Sequence, residues 1–161
     1  MRALAVTTGL VLTDQLSKWL VRVNFPFPGD GCTLIAGFFD LRYVRNTGAA
    51  WGMLAGRQLF LIVFSLLALS AMLGWYRHAL ARLPLGWLTL GLLTGGIIGN
   101  LIDRVWLGYV VDFLDFYLGS SHFPAFNVAD AAICTGVGLY LLTQWMVDRR
   151  TGPNTANPKT S

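Results

Sequence analysis

Four apolar runs, near residues 3–23, 59–76, 85–101 and 128–147, constrain this chain more than any other feature. Each is long enough to cross a hydrocarbon core as a helix, which takes about 17–25 residues. With 55% hydrophobic and 12% charged residues over 161 positions, the composition is too apolar for a soluble domain of this length. Residues 1–150 therefore read as one membrane-embedded domain. Arg2 precedes the first run as it would in a signal peptide. However, Asp14, Gln15 and Lys18 interrupt that run and no small-residue cleavage site follows, so it reads as a retained span.

Four spans put both termini on one side. Arg2, Arg77, His78, Arg82, Arg149, Arg150 and Lys159 mark that side as cytoplasmic under the positive-inside rule. Arg42, Arg45 and Arg57 on the first connection nearly balance the raw count. That connection, within residues 24–57, is too long for a passive link. Pro26, Pro28, Gly29 and Gly31 open it with turn chemistry. Phe39, Leu41 and Tyr43 then alternate with Asp40 and Arg42, the period of a half-buried strand. The expected fold is an all-α integral membrane bundle of four transmembrane helices. A small extracytoplasmic β-sheet from the first long loop lies on the membrane beside it. Residues 151–161, rich in Thr, Asn and Pro, read as a disordered tail.

The eight acids are all Asp, and Asp103, Asp112, Asp115 and Asp130 stand at the ends of very apolar stretches. A carboxylate in a bilayer costs roughly 2.5–3.5 kcal/mol on insertion scales unless it is hydrated, paired or protonated. Several of them converging on one end of a bundle need a reason, and proton-transfer chemistry is the leading one. The net charge of +4 is carried by scattered residues, which argues against a nucleic-acid surface. Cys32, in a loop, and Cys134, in an apolar run, form no disulfide framework. His78 and His122 are far apart and have no zinc-ligand spacing. An aspartate-only Mg²⁺ site stays open, but no metal ligand is assigned and no cofactor is expected.

Each polar residue also has a structural reading. Asn127 can cap the fourth helix with Asp130 at its third position, where a carboxylate meets free N–H groups. Asp112, between Tyr109-Val110-Val111 and Phe113-Leu114, has no such ready explanation. Asp115, one helical turn on, reads as a solvated or capping residue. Asp14 and Lys18 are one turn apart in the favourable order for an ion pair, a structural clamp. Asp103 and Arg104 can form a local pair or neutralise a neighbouring carboxylate, and Asn46 can be a turn residue or hold a substrate backbone. Gly91, Gly95 and Gly99 share one face of the third helix and read as a close-packing stripe. Two carboxylates in hydrogen-bond reach cannot easily both ionise, so they supply a base for water and an acid for the leaving group. No Gly-x-Ser-x-Gly element competes with this chemistry.

Five motifs occur in order: Asp14-Gln15-x-x-Lys18, Asn46-Thr47-Gly48-Ala49-Ala50, Gly99-Asn100-x-x-Asp103-Arg104, Val110-Val111-Asp112-Phe113 and Phe126-Asn127-x-Ala129-Asp130. Together they resemble the lipoprotein signal peptidases, the bacterial signal peptidase II family of membrane aspartic proteases. Many members have Phe after the second motif, where this chain has Trp51. The resemblance implies a catalytic dyad of Asp112 and Asp130. Asn46, Asn100, Arg104 and Asn127 would line or support the site, with Asp14, Lys18 and Asp103 as supporting polar positions. It further implies a diacylglyceryl-modified prolipoprotein as substrate, cut just before the lipidated cysteine by direct water attack. The expected location is the bacterial inner membrane, with both termini cytoplasmic and the dyad near the outer leaflet. The protein would work as a monomer among membrane lipids. A small proton-coupled transporter and a noncatalytic membrane scaffold are the rival readings.

Overall fold

A computed structural model describes residues 1–49 and 53–151. Trp51, with Ala50 of the second motif, and the tail from residue 152 lie outside the described residues. The chain begins with helix α1 (Arg2–Asn24) and passes through strands β1 (Gly31–Ile35) and β2 (Phe39–Asn46). Helix α2 (Gln58–Ala71) continues through one π-helical turn, Met72–Tyr76, into the short α3 (Arg77–Leu80). Helix α4 (Gly86–Leu107) is followed by strands β3 (Val110–Leu118) and β4 (Ser121–His122), and α5 (Val128–Thr151) completes the described chain.

Polarity is inside-out relative to a protein in water. Leu4, Leu12 and Leu16 of α1, Leu59, Phe64 and Leu67 of α2, and Leu141 and Leu142 of α5 are all exposed. Asp14, Lys18, Asn100, Asp103, Asp112 and Asn127 are buried. Large apolar surface facing outward around a polar interior is what a hydrocarbon solvent selects. Among the described residues, α4 is long and apolar enough by itself to cross a membrane. Residues 58–74 form a shorter apolar helix, whereas α1 carries Asp14, Lys18 and Arg22 within its length.

Helix α4 lies between α1 and α5, and its glycines make both contacts close. A Cβ added at Gly91 would come within 2.7 Å of Val6, and one at Gly95 would come within 2.7 Å of Leu10. At Gly99 it would meet Asp14 Oδ2 at 2.6 Å. The expected stripe is therefore the α1 interface. Gly96, on another face, serves α5: a Cβ there would lie 2.5 Å from the Ala129 carbonyl oxygen. Small residues let helices associate in lipid, where no hydrophobic force drives them together. Helix α4 also runs six residues beyond the expected end at 101. It stops where Gly108 adopts φ 77°, a left-handed terminator.

The sheet departs from expectation. It has four strands in the order β1-β2-β3-β4, all antiparallel, so half of them come from the connection between α4 and α5 rather than from the first long loop alone. The stretch with Asp112 and Asp115 is a strand, not a helical turn. Its residues 110–113 are all buried, so it lacks the alternation that identifies a half-solvated strand. Val21 of α1, Tyr43 of β2, and Val111 and Phe113 of β3 pack in one core cluster that seats the sheet on the end of α1.

A buried ion cluster ties the helices together. Lys18 Nζ lies 2.9 Å from Asp14 Oδ2 and 3.1 Å from Asp103 Oδ2, and donates to Asn100 Oδ1 at 3.0 Å. Asp14 Oδ1 accepts the Ala129 N–H of the first turn of α5 at 2.9 Å, and Asp103 Oδ2 accepts the Val111 N–H of β3 at 3.0 Å. The Asp14–Lys18 clamp is present, with Asp103 as a third member. Asp103 does not pair with its neighbour Arg104. The side chain of Asp103 turns into the α1 interface, while Arg104 reaches Asn100 O at 3.4 Å and Gly48 O at 3.3 Å.

Two outcomes test this packing. Gly96→Ala should destabilise the protein by about 1–3 kcal/mol, because a backbone carbonyl cannot move aside cheaply. Gly138→Ala, where nothing lies within 4 Å, should leave the melting temperature in detergent unchanged or higher. Lys18→Met should cost about 3–5 kcal/mol by stranding two buried carboxylates. Asp14→Asn, which keeps an acceptor for Ala129, should cost less in the same thermal measurement.

Candidate active site

Asp112 sits in β3 with its carboxylate turned toward the start of α5. It is 1% exposed. Asn127 Nδ2 donates to Oδ1 at 2.7 Å, and Asn46 Nδ2 donates to Oδ2 at 2.8 Å. Asn46 is held in turn by its Oδ1, which accepts the Gly48 N–H at 2.9 Å, so its turn role and its contact with the site coexist. Burial pushes the Asp112 carboxyl up to about 7, and repulsion from Asp130 adds to the shift; the Asn46 and Asn127 amides and the Lys18 charge oppose it. A carboxyl that titrates near neutrality is matched to moving a proton at neutral pH.

Asp130 occupies the first turn of α5 and is only partly buried. Its backbone N–H donates to Asn127 Oδ1 at 2.9 Å, and its Oδ2 accepts the Asn127 N–H at 3.2 Å. This is the reciprocal arrangement of a capping box, with Asn and Asp in place of Ser and Glu. Asp130 Oδ1 also accepts Asn100 Nδ2 at 2.7 Å. Asn127 therefore touches both carboxylates, and capping does not compete with a place in the site.

Asn100 closes the network. Its Oδ1 accepts Lys18 Nζ and also Asn127 Nδ2, the latter at 3.2 Å, while its Nδ2 serves Asp130. A continuous path of hydrogen bonds thus leads from the buried ammonium through Asn100 and Asn127 to Asp112 and on to Asn46. Arg104 fastens the loop after β2 to α4 through Gly48 O and Asn100 O. All nine residues singled out in the sequence fall in or directly beside this network. An open hollow of about 400 Å³ lies elsewhere, lined by Asp40, Arg42, Tyr117 and His122 among others. Alternation along β3 puts Tyr117 on the face opposite Asp112, so that hollow is not the dyad's cleft. Among the described residues no group of three or more acidic, Cys or His side chains is arranged to hold a metal ion.

Two features escaped the sequence reading. Asp115, expected to be solvated or capping, is buried in β3 and contacts His122 Nδ1 at 2.9 Å. The turn at Gly119-Ser120 was the signal that could have paired 117 with 122 and brought His122 beside Asp115. Gln15 Nε2 links Gly99 O at 3.1 Å with Asp103 Oδ1 at 3.0 Å, a role its place in the first motif did not specify.

The sequence profile of the signal peptidase (SPase) II family matches residues 6–146. The chain is 44% identical over 140 residues to the lipoprotein signal peptidase of Symbiobacterium thermophilum, covering 87% of this chain and 91% of that one. It is 46% identical over 145 residues to the lipoprotein signal peptidase of Syntrophotalea carbinolica, covering 88% and 89% of the two chains. A bacterial membrane enzyme solved by the in meso method at 2.3 Å superposes with a TM-score of 0.78 at 28% identity, over 96% of this chain and 93% of that one. A second such enzyme, at 1.9 Å, gives a TM-score of 0.72 at 30% identity. With the profile spanning most of its length and relatives this similar over nearly all of theirs, the chain belongs to the signal peptidase II family.

Proposed function

We infer that this chain is a membrane aspartic endopeptidase that removes the signal peptide from diacylglyceryl-modified prolipoproteins. It cuts on the N-terminal side of the lipidated cysteine, with Asp112 and Asp130 as the catalytic dyad. The observation that carries the dyad is the shared partner Asn127, hydrogen-bonded to both carboxylates. The rival transporter and scaffold readings have no such support. Neither one accounts for the likeness to lipoprotein signal peptidases.

In the mechanism we propose, Asp112 holds the shared proton at rest. Asp130, the more exposed of the two, takes a proton from water as the oxygen attacks the scissile carbonyl carbon. Asp112 gives its proton to the carbonyl oxygen, forming a tetrahedral diol. Collapse breaks the C–N bond. Asp130 passes its proton to the departing cysteine nitrogen and Asp112 recovers the one it lent, which returns the dyad to its starting state. Asn46 and Asn127 orient Asp112, Asn100 orients Asp130, and Arg104 steadies the loop that follows Asn46.

The membrane placement is part of the same proposal. Residues 1–150 form one domain whose four helical segments cross the bilayer. Both termini are cytoplasmic, since Arg2, Arg77, Arg82 and Arg149 gather at the helix ends away from the sheet. The dyad and sheet then face the outer leaflet of the bacterial inner membrane, where a lipidated peptide keeps its acyl chains in lipid while water reaches the bond. The working unit is a monomer.

Asp112→Asn and Asp130→Asn should each abolish cleavage of a diacylglyceryl-modified prolipoprotein while the protein still inserts. Wild type should cut this substrate and spare its unlipidated twin. Near-normal cleavage by either variant would exclude the dyad. The pH profile has a definite sign on each limb: Asp112 loses its proton as pH rises through about 7, so kcat/KM should fall above that value, and it should fall again in acid where Asp130 becomes protonated and can no longer accept a proton from water. The apparent constant belongs to the pair.

A further inference from the structure

Strand β3 carries a second buried carboxylate on the face opposite Asp112. Asp115 is 4% exposed, and its cross-strand neighbour on β2 is another acid, Asp40. Like charges facing each other across an antiparallel pair destabilise it, and a buried carboxylate requires a partner. His122 of β4 is that partner, with Nδ1 at 2.9 Å from Oδ1 and 3.2 Å from Oδ2 of Asp115. Arg42 Nη1 stands farther off, at 3.9 Å from Oδ2. The His122 ring stacks on Tyr117 with centroids 4.9 Å apart, and the Tyr117 hydroxyl donates to Asp40 Oδ1 at 3.1 Å. The imidazole is thus oriented from two sides.

The paired part of the hairpin is short. Its register consists of Tyr117↔His122 and Leu118↔Ser121 alone. Beyond it, residues 121–127 run as a strap along β3, with the Phe123 N–H donating to Phe116 O at 2.8 Å and the Phe126 N–H to Leu114 O at 3.1 Å. The strap ends at Asn127, the residue that touches both dyad carboxylates. A strap that shifts carries Asn127 with it.

We propose that His122 and Asp115 are positioning residues for the dyad: their contact latches strap 121–127 to β3 and so keeps Asn127 between Asp112 and Asp130. This rests on the reading of those two acids as the catalytic pair. Neither His122 nor Asp115 reaches the reacting atoms.

The test compares His122→Asn with His122→Gln in the full-length protein. An Asn amide nitrogen falls about where Nδ1 stands and can still donate to Asp115, whereas the Gln nitrogen extends past it. The expected result is a kcat about ten-fold lower in His122→Gln with KM within about two-fold of wild type, and recovery of kcat in His122→Asn. Hydrogen exchange gives a second readout: the amides of Phe123 and Phe126 should lose protection in the Gln variant and keep it in the Asn variant. Equal kcat and equal protection in the two variants, whether wild-type or reduced, overturns the proposal. If wild type cleaves nothing, or Asp112→Asn cleaves normally, the peptidase reading falls instead, and exchange alone decides whether the latch exists.

Discussion

A lysine ammonium buried in a membrane-embedded bundle is the constraint on which the rest depends. Lys18 is 1% exposed, and its charge is tolerable only because two carboxylates and an amide oxygen surround it. Those partners belong to α1 and α4, and they reach on to a backbone N–H of α5 and one of β3. Satisfying one charge therefore fixes the relative positions of four elements. The glycines of α4 make this possible by letting α1 approach until Asp14 stands over Gly99. Packing and electrostatics are here two views of one contact.

The site is built from backbone accounting as much as from chemistry. The first turn of α5 has N–H groups that must find acceptors, and Asn127 and Asp130 meet that need reciprocally. The same Asn127 has an amide donor left over, which goes to Asp112. A helix cap and a contact between two acids are thus made by one residue. The strength of the arrangement lies in its rigidity: Asn46, Asn100 and Asn127 are each bonded at both ends of the amide, so none can rotate without losing a partner.

Some of this was legible in the residues and some was not. The helices were, because a long apolar run in a chain this poor in charge has few alternatives; α1 was expected at 3–23 and found at Arg2–Asn24. The glycine stripe of α4 was legible from its four-residue spacing. Strand β3 was not. Its buried residues 110–113 erase the period-two signal, and Asp112 and Asp115 three apart suggest a helical turn as readily as opposite faces of a strand. That misreading made Asp115 a surface residue when it is a buried one. The Asp103–Arg104 pair failed for a related reason: adjacent residues on a helix point in different directions, so sequence neighbours do not face each other.

The sequence by itself determined that apolar helices dominate, that a short polar set is embedded among them, and that the family is the one its five motifs resemble. The first two follow from composition and local spacing, which each segment carries independently, and the third from the resemblance of the motifs. Only the tertiary structure decided that Asp103 serves Lys18, that Asn127 joins Asp112 to Asp130, and that Asp115 meets His122 behind the sheet. These contacts link residues on different elements, and which side chains meet depends on how closely the helices pack and which way a strand turns its faces.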